Sequence, residues 1–125
     1  MYYIGKINRE IYKCVTEDIR TDEVIITDER IQHIKDRHPD DFELYCECIS
    51  LAVEYPEYII EANKENSALI LKSFFKNDKK FKTVLKIATS KDDVQFKNSI
   101  ITFMKIDEKE WRRLIKNKKI LYKSE

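Results

Sequence analysis

Pro56 marks a change in the period of the hydrophobic pattern, and this change constrains the fold more than any other feature of the chain. Upstream of it, Phe42, Tyr45, Cys46, Ile49, Ala52 and Val53 recur at helical spacing and form one apolar stripe. Asp40 is placed to cap that helix, and Glu43 follows three residues later, so the spacing predicts a helix over 40–54. Downstream, four runs rich in β-branched and aromatic residues cover 58–61, 68–75, 81–89 and 98–106. Polar segments separate them: Asn63-Lys64-Glu65-Asn66, Asn77-Asp78-Lys79-Lys80 and 90–97. Successive strands joined by short turns predict an antiparallel meander of four strands or slightly more. Helices first and a sheet afterwards make an α+β chain, with N-terminal helices packed on the sheet.

The remaining segments complete one domain over 1–125. Residues 2–7 and 10–15 are short Tyr/Ile/Val-rich stretches around Asn8-Arg9 and predict a small hairpin. Residues 16–23 are polar and read as a loop, followed by the apolar stub Val24-Ile25-Ile26. Thr27 or Asp28 can cap a helix over 28–38, which stops where Pro39 disfavours helical geometry in the residue before it. Residues 107–117 carry Trp111, Leu114 and Ile115 at helical spacing, and Ile120-Leu121-Tyr122 reads as a closing strand.

Hydrophobic residues make up 42% of the chain and charged residues 38%, which excludes both a disordered segment and a membrane-embedded one. No membrane association is expected. The first residues show no basic segment followed by an apolar stretch, so the expectation is a cytoplasmic location. Cys14, Cys46 and Cys48 are then reduced structural thiols. They lack a second ligand pair at zinc-binding spacing, and no metal or cofactor is expected. A single glycine leaves no phosphate-cradling glycine motif. The net charge of +1 hides an asymmetry. Residues 1–70 hold 8 Lys/Arg against 16 Asp/Glu, and residues 71–125 hold 16 against 7. The C-terminal half can supply a positive field for a polyanion.

The two histidines, His33 and His38, lie in one segment, Ile31-Gln32-His33-Ile34-Lys35-Asp36-Arg37-His38-Pro39. Five residues apart, they sit about 140° from each other on a helix, not at the i, i+4 spacing of helical zinc ligands. Arg37 is at i+4 from His33 and shares its face. An imidazole beside a fixed cation suits general acid–base work on a phosphodiester. Along 81–89, Phe81, Thr83, Leu85 and Ile87 alternate with Lys82, Val84, Lys86 and Ala88. Lys72 and Thr102 also interrupt apolar runs. Cations and a hydroxyl on neighbouring strands are the pattern of a sheet face that holds a ligand.

Several segments occur together in order. They are Thr27-Asp28-Glu29-Arg30-Ile31-Gln32-His33-Ile34 with Arg37-His38-Pro39, then Tyr55-Pro56-Glu57-Tyr58-Ile59-Ile60 and Val84-Leu85-Lys86-Ile87. Asn98-Ser99-Ile100-Ile101-Thr102-Phe103 and Lys119-Ile120-Leu121-Tyr122-Lys123 follow. Over roughly residues 24–123 the chain resembles the phage-associated branch of the barnase–EndoU–colicin–RelE-like nucleases. The resemblance implies N-terminal helices on a four-stranded antiparallel sheet. It also implies a metal-independent, toxin-like endoribonuclease acting on tRNA or mRNA, and a cognate immunity or antitoxin protein. Carried over residue by residue, it points to His33, His38, Lys86 and Thr102 as catalytic, with Ser99 as a further strand residue. Arg37 and Lys72, on geometry, and Lys82, from the strand alternation, join Ser99 as substrate-binding candidates. On a regular strand Ser99 and Thr102 face opposite sides, so without a bulge only one belongs to the site, and Thr102 is favoured. The barnase-type glutamate base has no counterpart.

The alternative is a non-catalytic module that holds RNA or a protein with its basic half, as an inactive relative or an inhibitor. Convergence of His33, His38, Lys86 and Thr102 in one cleft separates the two readings.

Overall fold

A computed structural model describes residues 1–40, 42–74 and 78–125. The chain runs through β1 (Tyr2–Lys6), α1 (Arg9–Tyr12), β2 (Glu23–Ile26), α2 (Asp28–Arg37) and α3 (Phe42–Glu54). It continues as β3 (Tyr58–Glu61), β4 (Ser67–Phe74), β5 (Lys79–Lys86), β6 (Asn98–Ile106), α4 (Glu108–Asn117) and β7 (Ile120–Lys123). The α+β class and the change of period at Pro56 hold. Two expected strands, 58–61 and 98–106, have the bounds the sequence pattern suggests. The strand expected over 81–89 instead starts at Lys79 and stops at Lys86. Phe75 and Asn77 of the expected strand and turn, like Asp41 of the expected helix, lie outside the described residues.

The sheet departs from the expected antiparallel meander. It has seven strands in the order β1-β2-β6-β5-β4-β3-β7 and is mixed. The meander β3–β6 forms its centre, and β2 joins β6 in parallel through Val24–Asn98 and Ile25–Ser99. The hairpin expected over 2–15 does not form. Asn8 instead caps the short helix α1 by accepting from the Glu10 N–H at 2.9 Å, and β1 pairs with β2. Polar local capping at Asn8 outweighs the strand propensity of 10–15.

Directly opposed residues of an antiparallel ladder project to the same side, so the register sorts the side chains into two faces. The first face carries Ile70, Phe81, Thr83, Leu85, Ile100 and Phe103, and packs under Ile31 and Ile34 of α2 and Tyr45, Cys48 and Ile49 of α3. The second carries Leu69, Leu71 and Ile106, covered by Trp111 and Leu114 of α4. Burial of each such large apolar side chain stabilises the fold by about 1.5–3 kcal/mol. The helices therefore occupy both faces, and the C-terminal one takes the face opposite α2 and α3.

Local chemistry explains the turns and joints. Asn66 adopts φ 57° in the polar turn between β3 and β4, a conformation that asparagine tolerates better than most residues. Gly5 admits α3 closely: a Cβ there would come within 2.8 Å of a Glu54 carboxylate oxygen. Asn98 is fully buried. Its amide donates to the Thr21 and Glu23 carbonyls at 2.8 and 3.0 Å and accepts from the Ala88 N–H at 2.8 Å. The asparagine that opens the Asn-Ser-Ile-Ile-Thr segment is thus an architectural residue that ties three chain segments together.

Candidate active site

Helix α2 presents the histidines. Thr27 caps it, accepting from the Arg30 N–H at 3.3 Å, while Ile31 and Ile34 face the core and fix its rotation. His33 and Arg37 are thereby left exposed. The helix ends as Pro39 requires. The His38 N–H still donates to the Ile34 carbonyl at 2.8 Å, but His38 itself leaves helical geometry at φ −136° and ψ 62°. Its ring lies on Tyr45, with centroids 4.3 Å apart and 28° between the planes. Tyr45 is held edge-on by Phe81 at 5.3 Å and Phe103 at 5.8 Å. The imidazole therefore rests on a packed aromatic base and is not a freely moving surface group.

β2 pairs with β6 only at Asn98 and Ser99. Beyond these residues β6 runs on past β2, and there a pocket of about 220 Å³ opens between α2, Tyr45 and the run Phe103-Met104-Lys105. His33, Arg37 and His38 all line it. Both histidines of the chain thus share one cavity, although they do not share one helix face, because His38 leaves the helix. No motif in the sequence marks Lys105 as a site residue. It reaches the pocket because Phe81 pairs with it, which places it on the first face.

The remaining expected site residues are elsewhere. Lys86 is opposed to Ser99, and Thr102 to Val84, so all three candidates project from the second face. A β-bulge at the Val84/Leu85 step inserts Ile101 and brings Ser99 and Thr102 to the same side, where a regular strand would have separated them. Lys82 is opposed to Leu71 and also lies on the second face. Lys86 and Ile101 line two adjoining cavities there, of about 370 and 210 Å³. Lys72 lies on the first face, and its ammonium donates to the Tyr55 carbonyl at 2.6 Å. The expected quartet does not converge: the histidines are on one side of the sheet, and Lys86 and Thr102 on the other.

Ion pairing separates the two groups of cations. On the second face, Lys80 meets Glu108 at 3.1 Å and Lys82 meets Glu110 at 3.8 Å, while Lys86 meets Asp92 at 3.7 Å; Lys97 pairs with Glu23. Asp92, Glu108 and Glu110 are held below their ordinary pKa. The Thr89 N–H is the main cause for Asp92, followed by Lys86. Arg113 and then Lys82 act on Glu110, and Lys80 with Arg112 on Glu108. Among the described residues, no carboxylate lies within ion-pair distance of Arg37 or Lys105. Arg37 and Lys105 are thus without ion-pair partners among the described residues, although Glu29 and Asp36 line a neighbouring cavity with His33, whereas Lys86 is opposed by Asp92.

Burial pushes the thiols of Cys14, Cys46 and Cys48 up, which favours the neutral form. Among the described residues, no three His, Cys, Asp or Glu side chains are grouped to hold a metal ion. No helix among them is long and apolar enough to cross a membrane.

Two imidazoles, a guanidinium and an ammonium around one cavity can exchange protons with a phosphodiester and stabilise charge on it. Comparison with known proteins points the same way. No curated protein and no solved structure matches the chain. The family model for the phage-Barnase-EndoU-ColicinE5/D-RelE like nuclease2 matches residues 4–123. The chain belongs to this phage-associated nuclease family.

Proposed function

We propose that the chain is an endoribonuclease that cuts tRNA or mRNA without a metal, through the ribose 2′-OH. The observation that carries this reading is the shared pocket of His33 and His38, with Arg37 and Lys105 lining it and neither ion-paired among the described residues. One imidazole takes the proton of the 2′-OH. The oxygen attacks the adjacent phosphorus, and the bond from phosphorus to the 5′-oxygen breaks. The other histidine, as imidazolium, protonates the departing oxygen. The products are a 2′,3′-cyclic phosphate and a 5′-hydroxyl. Arg37 and Lys105 stabilise the charge that builds on the non-bridging oxygens. The Tyr45–His38 stack and Phe103 offer an aromatic wall for an unpaired base. Because the nucleophile belongs to the substrate, DNA is not cut. In this account Lys86 and Thr102 take no chemical step.

An enzyme of this kind is a toxin to the cell that makes it. It meets tRNA and mRNA in the cytoplasm, and a cognate immunity protein would restrain it. The second reading is a module that binds RNA or protein without cutting. The observation in its favour is the separation of Lys86 and Thr102 from the histidines by the thickness of the sheet. Incubation of the purified protein with tRNA and mRNA in EDTA decides between them, run beside His33→Ala, His38→Ala and Lys86→Ala. Discrete cleavage lost in the histidine variants and kept in Lys86→Ala is the expected result. Intact RNA across all substrates would leave the binding module.

A further inference from the structure

A second pair of lysines stands at the far side of the meander from the histidines: Lys72 projects from the first face, and Lys123, opposed to Tyr58 and through it aligned with Leu71, projects from the second. β4 runs past the start of β3, whose first rung pairs Tyr58 with Leu71. Beyond that rung, Glu57 receives the Ser73 N–H at 3.0 Å and the Ser73 hydroxyl at 2.6 Å on one carboxylate oxygen. The notch left there is about 510 Å³ and is lined by Lys72, Lys123, Ser73, Ser124 and the Tyr58 ring, with Glu57 as its carboxylate. The Lys72 ammonium is bonded to the Tyr55 carbonyl, and that of Lys123 lies 5.9 Å from the Tyr58 ring centroid. Neither is ion-paired among the described residues, in contrast to Lys80, Lys82, Lys86 and Lys97. Among the described residues, two lysines thus meet one carboxylate, itself engaged by Ser73, where the end of β3 brings the two faces of the sheet together.

The Lys72 side of the notch and the histidine pocket are joined by register. Lys105, Phe81 and Lys72 form one row across β6, β5 and β4 on the first face. Two strand spacings separate Lys105 from Lys72, about 10 Å. Lys79, on β5 between them, holds its ammonium 5.7 Å from the Tyr45 ring. Cations at this spacing along one face suit successive phosphates of a single strand.

We propose that the Lys72–Lys123 notch is a second phosphate-binding subsite for the RNA strand whose scissile group occupies the histidine pocket. It rests on the reading of that pocket as the place where RNA is cut. The subsite makes affinity depend on strand length, because a dinucleotide fills only the histidine pocket.

The test uses binding as well as cleavage, so that the two readings fail separately. Affinity for a 2′-O-methyl oligonucleotide, which cannot be cut, is measured by fluorescence anisotropy over a range of salt for wild type, Lys123→Gln and Lys72→Gln/Lys123→Gln. Each lysine removed is expected to lower the slope of log affinity against log salt by about 0.7, the value for one phosphate contact on a single strand. With cleavable substrates, kcat/KM for a long RNA is expected to fall about tenfold in the double variant, while that for a dinucleotide stays within twofold. Lys123→Gln leaves the Lys72–Tyr55 bond intact, so a loss of slope in that variant is not a folding defect. An unchanged slope in both variants, or no measurable binding by wild type, would overturn the subsite. Binding that depends on Lys72 and Lys123 without any cleavage would keep the subsite and overturn the nuclease mechanism instead.

Discussion

The ring of His38 lies 4.3 Å from that of Tyr45 and nearly parallel to it, one residue beyond the end of α2. The contact turns a helix-terminal histidine into a fixed group that faces the same cavity as His33. It depends on Pro39 to end the helix and on Phe81 and Phe103 to hold Tyr45. Replacing Tyr45 by leucine removes the stacking surface. RNA cleavage by Tyr45→Leu is predicted to fall on the order of 10²-fold in kcat, since a misplaced catalytic group loses that much. Tyr45→Phe keeps the ring and is predicted to keep most of the rate. Single-turnover kinetics of both variants, with circular dichroism to check folding, measure this. Equal losses in the two variants would assign the role to the Tyr45 hydroxyl and not to the stack.

The two faces make opposite predictions for their lysines. Lys105→Ala removes from the histidine pocket a cation that has no ion-pair partner among the described residues, and is predicted to lower kcat by roughly 10²–10³. Lys86→Ala removes a cation already opposed by Asp92, and its effect on kcat is predicted to stay within about threefold. Parallel rate measurements on one RNA substrate suffice. The reverse ranking would move the chemistry to the second face, beside Ser99 and Thr102.

The chain states some of this in its sequence and hides the rest. The stripe from Phe42 to Val53 and the runs at 58–61 and 98–106 are local patterns, and local patterns survive into the fold. The alternation Phe81, Thr83, Leu85 against Lys82, Val84, Lys86 also gives the two faces of β5 correctly. Strand order is not local. The parallel pairing of β2 with β6, and the docking of α4 on the face opposite α2, join residues far apart in the chain. The site inherits this limit. His33, Arg37 and His38 lie in one short segment and were readable together. Lys105 enters only through its pairing with Phe81. Lys86 and Thr102 interrupt apolar strands as a ligand-holding face would, but the strand pattern does not say which face the histidines will meet. The inserted residue at Ile101, which aligns Ser99 with Thr102, has no signature in the sequence.

Thr83 is fully buried on the first face, between Ile70 and Phe103 in the ladder, and its hydroxyl has no hydrogen-bond partner among the described residues. A buried polar atom without a partner costs about 1–3 kcal/mol. Thr83→Val replaces it with a methyl group of similar shape. The variant is predicted to be more stable by about 1 kcal/mol, with Tm raised by about 4 °C. A lower Tm in calorimetry would show that the hydroxyl has a partner.

Asp92 organises the loop between β5 and β6. It accepts from the Thr89 N–H at 2.8 Å and faces Lys86, while Arg20 donates to the carbonyls of Thr89, Asp92 and Phe96. Its pKa is depressed in the folded protein, so the stability it contributes is present above the unfolded value and is lost as pH falls through the folded one. The loop is predicted to loosen in acid, below the usual aspartate range. Asp92→Asn, which cannot gain that proton, is predicted to lose less stability than wild type over the same acid range. Thermal melts of the two proteins at descending pH compare them; parallel curves would remove Asp92 as the cause.

In the proposed reaction the substrate's own 2′-OH is the nucleophile, and His33 and His38 move the protons. The most direct measurement is end-group analysis of a cleaved RNA in EDTA, beside the same RNA carrying a single 2′-deoxy substitution at the cut site. The expected result is a 2′,3′-cyclic phosphate and a 5′-hydroxyl, no cut at the deoxy position, and rates lowered by about 10²–10⁴ in His33→Ala and His38→Ala. Cleavage at the deoxy position, or a 5′-phosphate product, would contradict it.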